Sequence, residues 1–265
     1  TLVLIALAQM FAVGGSEIDL GVGAFAGMVN VLSATVLVAA PLLGVGALVA
    51  ALAGYAVIAL LIQGRGIPAI VVTLGASFIW AGVGQTIQPS PGGSSPDWLR
   101  ALVTWRIAGL PTPLLLVLIA GLAAAAIDRS PLGVVLRGFG STPAALIRSG
   151  WSPIRAAVWR YLIVGAFAGA AGLYLTASNR ASDINVGNAY TLLSVAGVVV
   201  GGCALLGGLI SPWGVVAGAV TLSLIGAALA SLGVSTDYNA LVQGSLLVAI
   251  LGLRTLADWS RRDAR

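Results

Sequence analysis

Residues 41–61 read PLLGVGALVAALAGYAVIALL, a run of twenty-one residues without a charged side chain. A helix needs about 20 consecutive apolar residues to cross the hydrocarbon core of a bilayer. The strands of a membrane barrel are roughly half as long and alternate apolar with polar residues, which this run does not do. The run therefore predicts a membrane-spanning helix.

The composition of the whole chain agrees with this prediction. Of its 265 residues, 59% are hydrophobic and only 8% are charged, whereas a soluble domain carries about 25% charged residues. So few charged groups cannot cover a surface that faces water, and the composition excludes an ordinary soluble domain. We predict an all-α, polytopic transmembrane bundle with about nine to ten spans.

Apolar runs bounded by glycine, proline, serine or charge give nine segments along the chain. They cover approximately residues 1–13, 21–39, 41–61, 67–87, 111–127, 153–178, 191–209, 212–232 and 238–253. The first segment starts without a methionine or a charged leader, so we expect the natural N-terminus to be truncated, with one preceding helix lost.

The basic residues indicate an orientation in the membrane. All 13 are arginines, and most collect at 129–160 and at 254–265. Arginine-rich connections are typical of the cytoplasmic face, which favours a membrane topology over a nucleic-acid partner. Four segments separate the two clusters, so both lie on one side. Counting the segments in the same way places Arg65 on the cytoplasmic side of the membrane and residues 88–109 on the opposite side.

Several kinds of chemistry are excluded. The chain has no histidine and a single cysteine, Cys203, within an apolar run. Zinc sites built on histidine and catalysis by Ser-His or Cys-His pairs are therefore absent. No G-x-x-x-x-G-K-[ST] loop is present, so ATP must bind to another protein. We predict no catalytic residue, no metal and no cofactor.

A short motif occurs twice. The stretch DLGVG at 19–23 returns as DINVG at 183–187, and each copy opens an apolar run. Five segments separate the copies, so they enter the membrane from opposite sides, as the halves of an inverted-topology repeat do in transporters. The pattern predicts Gly-rich discontinuous helices related by such a repeat.

The first copy of the motif carries two of the eight acidic residues, Glu17 and Asp19, within GGSEIDLGVG at 14–23. An ionisable group near hydrocarbon normally faces a cavity or a partner, which favours a broken helix that lines a pathway. Alternatively, Asp19 lies in a short loop and caps the following helix. Both interpretations stay open from the residues alone.

The longest basic connection, 128–155, contains a short helix. Thr142 is placed to cap it, Pro143 starts it, and Gly150 ends it, because glycine tolerates the left-handed conformation at a helix stop. A short, rigid, basic helix next to the following span would fit a groove on a partner. A solvated connector is the alternative.

Ordered motifs resemble one known family. EIDLGVG at 17–23 resembles the family's G-I-D-L-S-V-G, GIPAIVVTLG at 66–75 is similar to G-I-P-x-x-I-V-T-L-G, and GSTPAALIRSG at 140–150 is similar to G-G-N-x-x-A-A-x-x-S-G. VVGG at 199–202, LGG at 206–208 and GVS at 233–235 complete the series. Together they resemble the sugar-type permease subunits of bacterial ABC importers, the group that handles ribose, xylose and galactose. The chain departs from this pattern at Glu17, Gly21, Thr142 and Leu146, where the family usually has Gly, Ser, Asn and Ala.

The resemblance implies one permease domain over residues 1–265 in the bacterial inner membrane, working with other subunits. A cytoplasmic ATPase would dock on the loop 128–155, a periplasmic solute-binding protein would deliver the solute, and a second permease subunit, identical or different, would complete the pathway within membrane lipid. The residues expected to receive the ATPase are Thr142, Pro143, Ala145, Arg148, Ser149 and Gly150.

Sugar hydroxyls bind well to carboxylates and amides. Asp19 is therefore the first candidate for the solute pathway, with Glu17, Asn30, Asp183 and Asn185 as further candidates. Two alternative functions remain open, a permease for branched-chain amino acids and an ion-coupled secondary transporter.

Overall fold

The computed structural model describes residues 1–107, 109–179 and 181–233, together with residues 244, 245 and 252. Its helices are α1 (Leu2–Gly14), α2 (Val22–Ala34), α3 (Val36–Ala39), α4 (Pro41–Arg65), α5 (Ala69–Ile87), α6 (Asp97–Thr104), α7 (Thr112–Arg129), α8 (Pro131–Ser141), α9 (Pro143–Arg148), α10 (Pro153–Asn179), α11 (Asn188–Val200) and α12 (Pro212–Ser231). A 3-10 turn, Ile184–Gly187, precedes α11. Two strands of two residues each, β1 (Arg106–Ile107) and β2 (Leu110–Pro111), pair antiparallel between α6 and α7.

Six helices in the described part of the chain are long and apolar enough to cross a membrane. They are α2 continued by α3, and then α4, α5, α7, α10 and α12. The prediction of an all-α, multi-pass membrane protein is confirmed, but the count of nine to ten spans is not. The expected segments 1–13 and 191–209 correspond to shorter helices, and the expected segment 238–253 lies outside the described residues except at 244, 245 and 252.

The two short helices α1 and α2 form the centre of the bundle. Every residue of α2 and all but one of α1 are buried. Helices that are apolar on every side are normally surrounded by protein or lipid. Here the helix α10 packs against α1, α2 and α4, while α11 and α12 pack against α1.

Glycines allow this close packing. On α10, a Cβ at Gly172 would overlap the backbone of α2 at Ala26, and one at Gly165 would overlap Tyr55 of α4. Small residues let helix backbones approach where lipid supplies no hydrophobic drive for association.

Non-helical segments interrupt the apolar runs in both halves of the bundle. Residues 15–21 separate α1 from α2. The expected span 191–209 is wrong at its C-terminal end, because the helix stops at Val200. Gly202, Gly207 and Gly208 then adopt φ of +87°, +82° and +78°, a left-handed conformation that cannot continue an α-helix.

Loops that the charge pattern places on one side lie at the same end of the bundle. Ser16, at the end of α1, contacts Gly140, and the neighbouring Glu17 contacts Gln63 near the end of α4. At the opposite end, Gln88 and Gly92 contact Ser182. The first end carries the arginine-rich segment.

Candidate functional site

Asp19 lies in the break between α1 and α2 and is completely buried. Its Oδ1 accepts a hydrogen bond from the Gly21 amide at 2.7 Å, and its Oδ2 accepts one from the Tyr55 hydroxyl at 3.0 Å. The Gln9 side-chain amide, oriented to satisfy its partners, donates to the Asp19 carbonyl at 3.0 Å and accepts from the Asp19 amide at 3.2 Å. This geometry agrees with the capping interpretation, since the carboxylate holds the backbone just before α2.

The same break is attached to α5. The Leu20 amide donates to Thr73 Oγ1 at 3.1 Å. A Cβ on Gly21 would lie 2.9 Å from the Thr73 carbonyl oxygen, too close for any side chain. Glycine at this position therefore lets the break rest directly on the backbone of α5.

Glu17 forms a buried ion pair that the sequence does not predict. Glu17 Oε2 lies 2.6 Å from Arg160 Nη2, and the two side chains are only 12% and 3% exposed. Gln63 Nε2 donates to Glu17 Oε1 at 3.3 Å. The assignment of Arg160 to the basic loop is wrong, because it lies about two turns inside α10.

Asn30 and Asp183 are brought together at the other end of α2. Asn30 is fully buried, its Oδ1 accepts from the Asp183 amide at 3.0 Å, and its Nδ2 donates to Thr176 Oγ1 at 3.0 Å. The Asp183 Oδ1 accepts from the Asn185 amide at 2.9 Å. Asn185 is exposed. Asp183 thus caps the 3-10 turn before α11. Its carboxylate accepts from the amide two residues onward, as the carboxylate of Asp19 does from Gly21.

The five pathway candidates therefore form two clusters rather than one. Asn30 lies eight residues beyond the start of α2 at Val22, or about 12 Å along the helix axis. Glu17 and Asp19 lie before that start, whereas Asn30, Asp183 and Asn185 lie at the far end.

Between the two clusters, the two copies of the repeated motif touch. A Cβ on Gly23 would overlap the Gly187 carbonyl, and a Cβ on Gly187 would overlap the Gly23 carbonyl. These glycines hold the same position in DLGVG and DINVG. The contact between the two copies is therefore backbone to backbone and reciprocal.

The short helix predicted to start at Pro143 is present as α9, at the arginine-rich end, and none of its residues is buried. Gly150 follows it with φ +84°, as predicted. The prediction that Thr142 caps α9 is wrong, because its side chain makes no capping bond at φ −140° and ψ 61°. Pro143 supplies the helix start instead, since its fixed φ suits the first position.

Apolar side chains beside α9 face outward. Ile147 is 52% exposed and Trp151 is 51% exposed. A cleft of about 380 Å³ lies next to them and includes Ser149, Gly150 and Arg155 in its lining. This surface, formed by α9 and the start of α10, combines apolar and basic groups.

Sequence reasoning missed Gln9, Ser16, Tyr55 and Arg160 as parts of these clusters. Each is a polar residue inside or at the edge of an apolar run. A polar side chain in such a run normally needs a partner within the protein, and this signal points to all four.

Comparison with known proteins identifies related chains. The family model described as "Branched-chain amino acid transport system / permease component" matches residues 1–251. The chain is 28% identical over 265 residues to the D-allose transport system permease protein AlsC of Escherichia coli, a match that covers 96% of this chain and 80% of that protein. It is 29% identical over 263 residues to the ribose import permease protein RbsC of Escherichia coli, covering 94% and 80%, and 26% identical over 263 residues to RbsC of Haemophilus influenzae, with the same coverage. No solved structure gives a significant match.

Proposed function

This chain belongs to the family of branched-chain amino acid transport system permease components, and from that premise we propose that it is the permease subunit of an ATP-driven importer for a monosaccharide. One observation carries this proposal. The relatives that match almost the whole chain are permeases for allose and ribose. The matched proteins are transport components rather than enzymes, in agreement with the sequence prediction.

The two alternative functions receive less support. The family description names branched-chain amino acids, but the curated relatives named above are sugar permeases. Nothing in these matches favours an ion-coupled carrier. We therefore place the chain in the bacterial inner membrane, with a periplasmic binding protein on one side and an ATPase on the other.

The proposed ATPase site is the exposed surface of α9. The predicted docking residues Thr142, Pro143, Ala145, Arg148, Ser149 and Gly150 lie on or beside this helix, within the loop 128–155. The exposed Ile147 and Trp151 give a docking partner an apolar anchor, and aromatic and apolar anchors dominate binding energy at interfaces.

The proposed second permease subunit would pack on α5. This helix is the least buried of the six that could span a membrane. Its exposed residues include Val71, Phe78 and Ile79.

Contacts between and within the two clusters support the proposed inverted repeat. Asp19 and Asp183 each accept from the amide two residues onward, and Gly23 meets Gly187 reciprocally. Equivalent residues of two inverted copies meet where an axis of pseudo-symmetry passes. We propose that Asp19, with Glu17 beside it, shapes the pathway by holding the break, and that the exposed Asn185 stands nearer to the solute than the buried Asn30 and the half-buried Asp183.

Transport by the reconstituted complex tests the function. The complex would be purified from its native host through a tag on this chain and placed in proteoliposomes. We expect ATP-dependent uptake of at least one of labelled D-ribose, D-allose and D-galactose, with no uptake of L-leucine. Leucine uptake alone would support the amino acid alternative, and uptake that needs no ATP and stops with an ionophore would support the ion-coupled one.

A substitution separates the two roles of Asp19. Asp19→Asn keeps an oxygen that can accept from Gly21 but removes the charge. If the carboxylate borders the pathway, uptake should fall while the thermal midpoint of unfolding stays within a few degrees of the unmodified protein. Unchanged uptake would leave Asp19 with the capping role alone.

A further inference from the structure

Three segments meet at the end of α1 through one hydroxyl. The Ser16 Oγ lies 2.8 Å from the Gly140 carbonyl oxygen and 2.6 Å from the Leu206 carbonyl oxygen. The Gly208 amide donates to the Gly14 carbonyl at 3.1 Å. We call the set of Gly14, Ser16, Gly140 and residues 206–208 the Ser16 junction.

The backbone at Ser16 is held in an unusual conformation. Ser16 has φ +65°, and among the described residues it is the only one other than glycine with positive φ. Such a conformation is unfavourable for a residue with a Cβ and persists only where surrounding contacts impose it. The conformation therefore points to a position that the junction holds in place.

Glycines make the junction tight. A Cβ on Gly140 would overlap the Gly14 carbonyl, and a Cβ on Gly207 would overlap the Ser16 hydroxyl. No side chain fits between these backbones. A displacement of α8 near Gly140 is therefore passed directly to the end of α1.

The junction joins two functional parts of the chain. Gly140 lies near the end of α8, two residues before Thr142 and the start of α9. Ser16 is followed by Glu17, which is fixed to Arg160, and then by Asp19, which holds the start of α2. The junction thus connects the segment that leads into α9 with the helix break.

A serine hydroxyl has one proton and can donate fully to one acceptor at a time. The carbonyls of Gly140 and Leu206 both lie within hydrogen-bond distance of the Ser16 hydroxyl. Ser16 can therefore keep its hydrogen bond to one of these segments while the other segment moves away. Discrete alternative contacts of this kind are what allows an interface to have two states.

Resting on the proposed function, we propose that Ser16 is a positioning residue that couples movement of α9 to the helix break. In one state its hydroxyl binds the Gly140 carbonyl, next to the start of α9. In the other state it binds only the Leu206 carbonyl. This role requires no contact between Ser16 and the solute, and the expected effect is on the amount of solute transported per ATP hydrolysed.

The test compares Ser16→Gly with the unmodified complex in the same proteoliposomes. Glycine accepts the positive φ without strain, so this variant removes the hydroxyl and leaves the backbone conformation accessible. Since coupling between sites typically amounts to a factor of five or more, we expect sugar uptake per ATP hydrolysed to fall at least about five-fold. The ATPase should still co-purify and hydrolyse ATP. Ser94→Gly, at an exposed loop serine at the other end of the bundle, should leave the ratio unchanged.

A second measurement uses the unmodified complex, in case Ser16→Gly does not assemble. Hydrogen exchange at residues 14–17 and 206–208 should change together when the ATPase binds a non-hydrolysable ATP analogue. Unchanged exchange in both segments, or a normal ratio of uptake to hydrolysis in Ser16→Gly, would overturn the role of Ser16 alone. Absence of ATP-dependent uptake by the unmodified complex would instead overturn the proposed function, and this inference with it.

Discussion

Replacement of Arg160 by methionine tests the buried ion pair with Glu17. The charged atoms lie 2.6 Å apart, and at an effective dielectric constant of 20 their attraction is about 6 kcal/mol. Removing two ions from water costs several kcal/mol for each ion, so the pair as a whole contributes little net stability. Losing one partner is different, because the remaining charge stays buried without compensation.

We expect Arg160→Met to lower the free energy of unfolding by about 3 kcal/mol. The value is at the lower end of the usual range because Glu17 is 12% exposed and keeps its hydrogen bond from Gln63. Glu17→Met should cost more, up to about 5 kcal/mol, because the guanidinium that it leaves without its charged partner is only 3% exposed. The double variant, which buries no charge, should lie within about 1 kcal/mol of the unmodified protein.

Unfolding by SDS in mixed micelles, followed by the fluorescence of the seven tryptophans, measures these differences. Arg155→Met is the matched control, since Arg155 is an exposed arginine on the same helix, and it should stay within about 0.5 kcal/mol. The reasoning is refuted if Arg160→Met costs no more than Arg155→Met. It is also refuted if the double variant loses the sum of the two single losses, because the pair would then not interact.

Three further tests, one of them with its own control variant, examine other contacts. Tyr55→Phe removes a hydrogen bond to the Asp19 carboxylate and should lower the free energy of unfolding in the same assay by about 1.5–3 kcal/mol; no loss would contradict that bond. Gly23→Ala places a methyl group against backbone and should cost at least about 1 kcal/mol, whereas Gly46→Ala, which points into open space, should be neutral or stabilising. Ala145→Arg, on an exposed helix, should abolish uptake and ATPase co-purification without changing membrane insertion, and retained uptake would contradict docking at α9.

Features that depend on neighbouring residues or on lipid were predictable from the sequence. The run 41–61 became α4 because an apolar helix needs no particular partner in order to lie in lipid. The Ser-Pro helix starts at Ser130 and Ser211 behave as local chemistry predicts, with each hydroxyl accepting from the amide three residues onward.

The clusters depend on distant residues and could not be assigned in the same way. Tyr55 meets Asp19 across 36 positions of sequence, and no periodicity encodes that approach. A count of charges groups Arg160 with the loop arginines, because it reports residue type and not depth in the bundle. Polar chemistry alone brings the five pathway candidates together, whereas the rise along α2 separates Asp19 from Asn30.

The reciprocal contact of Gly23 with Gly187 bears on how the chain is made. Synthesis proceeds from the N-terminus, so α2 enters the bilayer long before its counterpart leaves the ribosome. The backbone at Gly23 cannot make this contact until residues 183–187 have been synthesised, so the packing between the two copies of the motif is completed only late in synthesis.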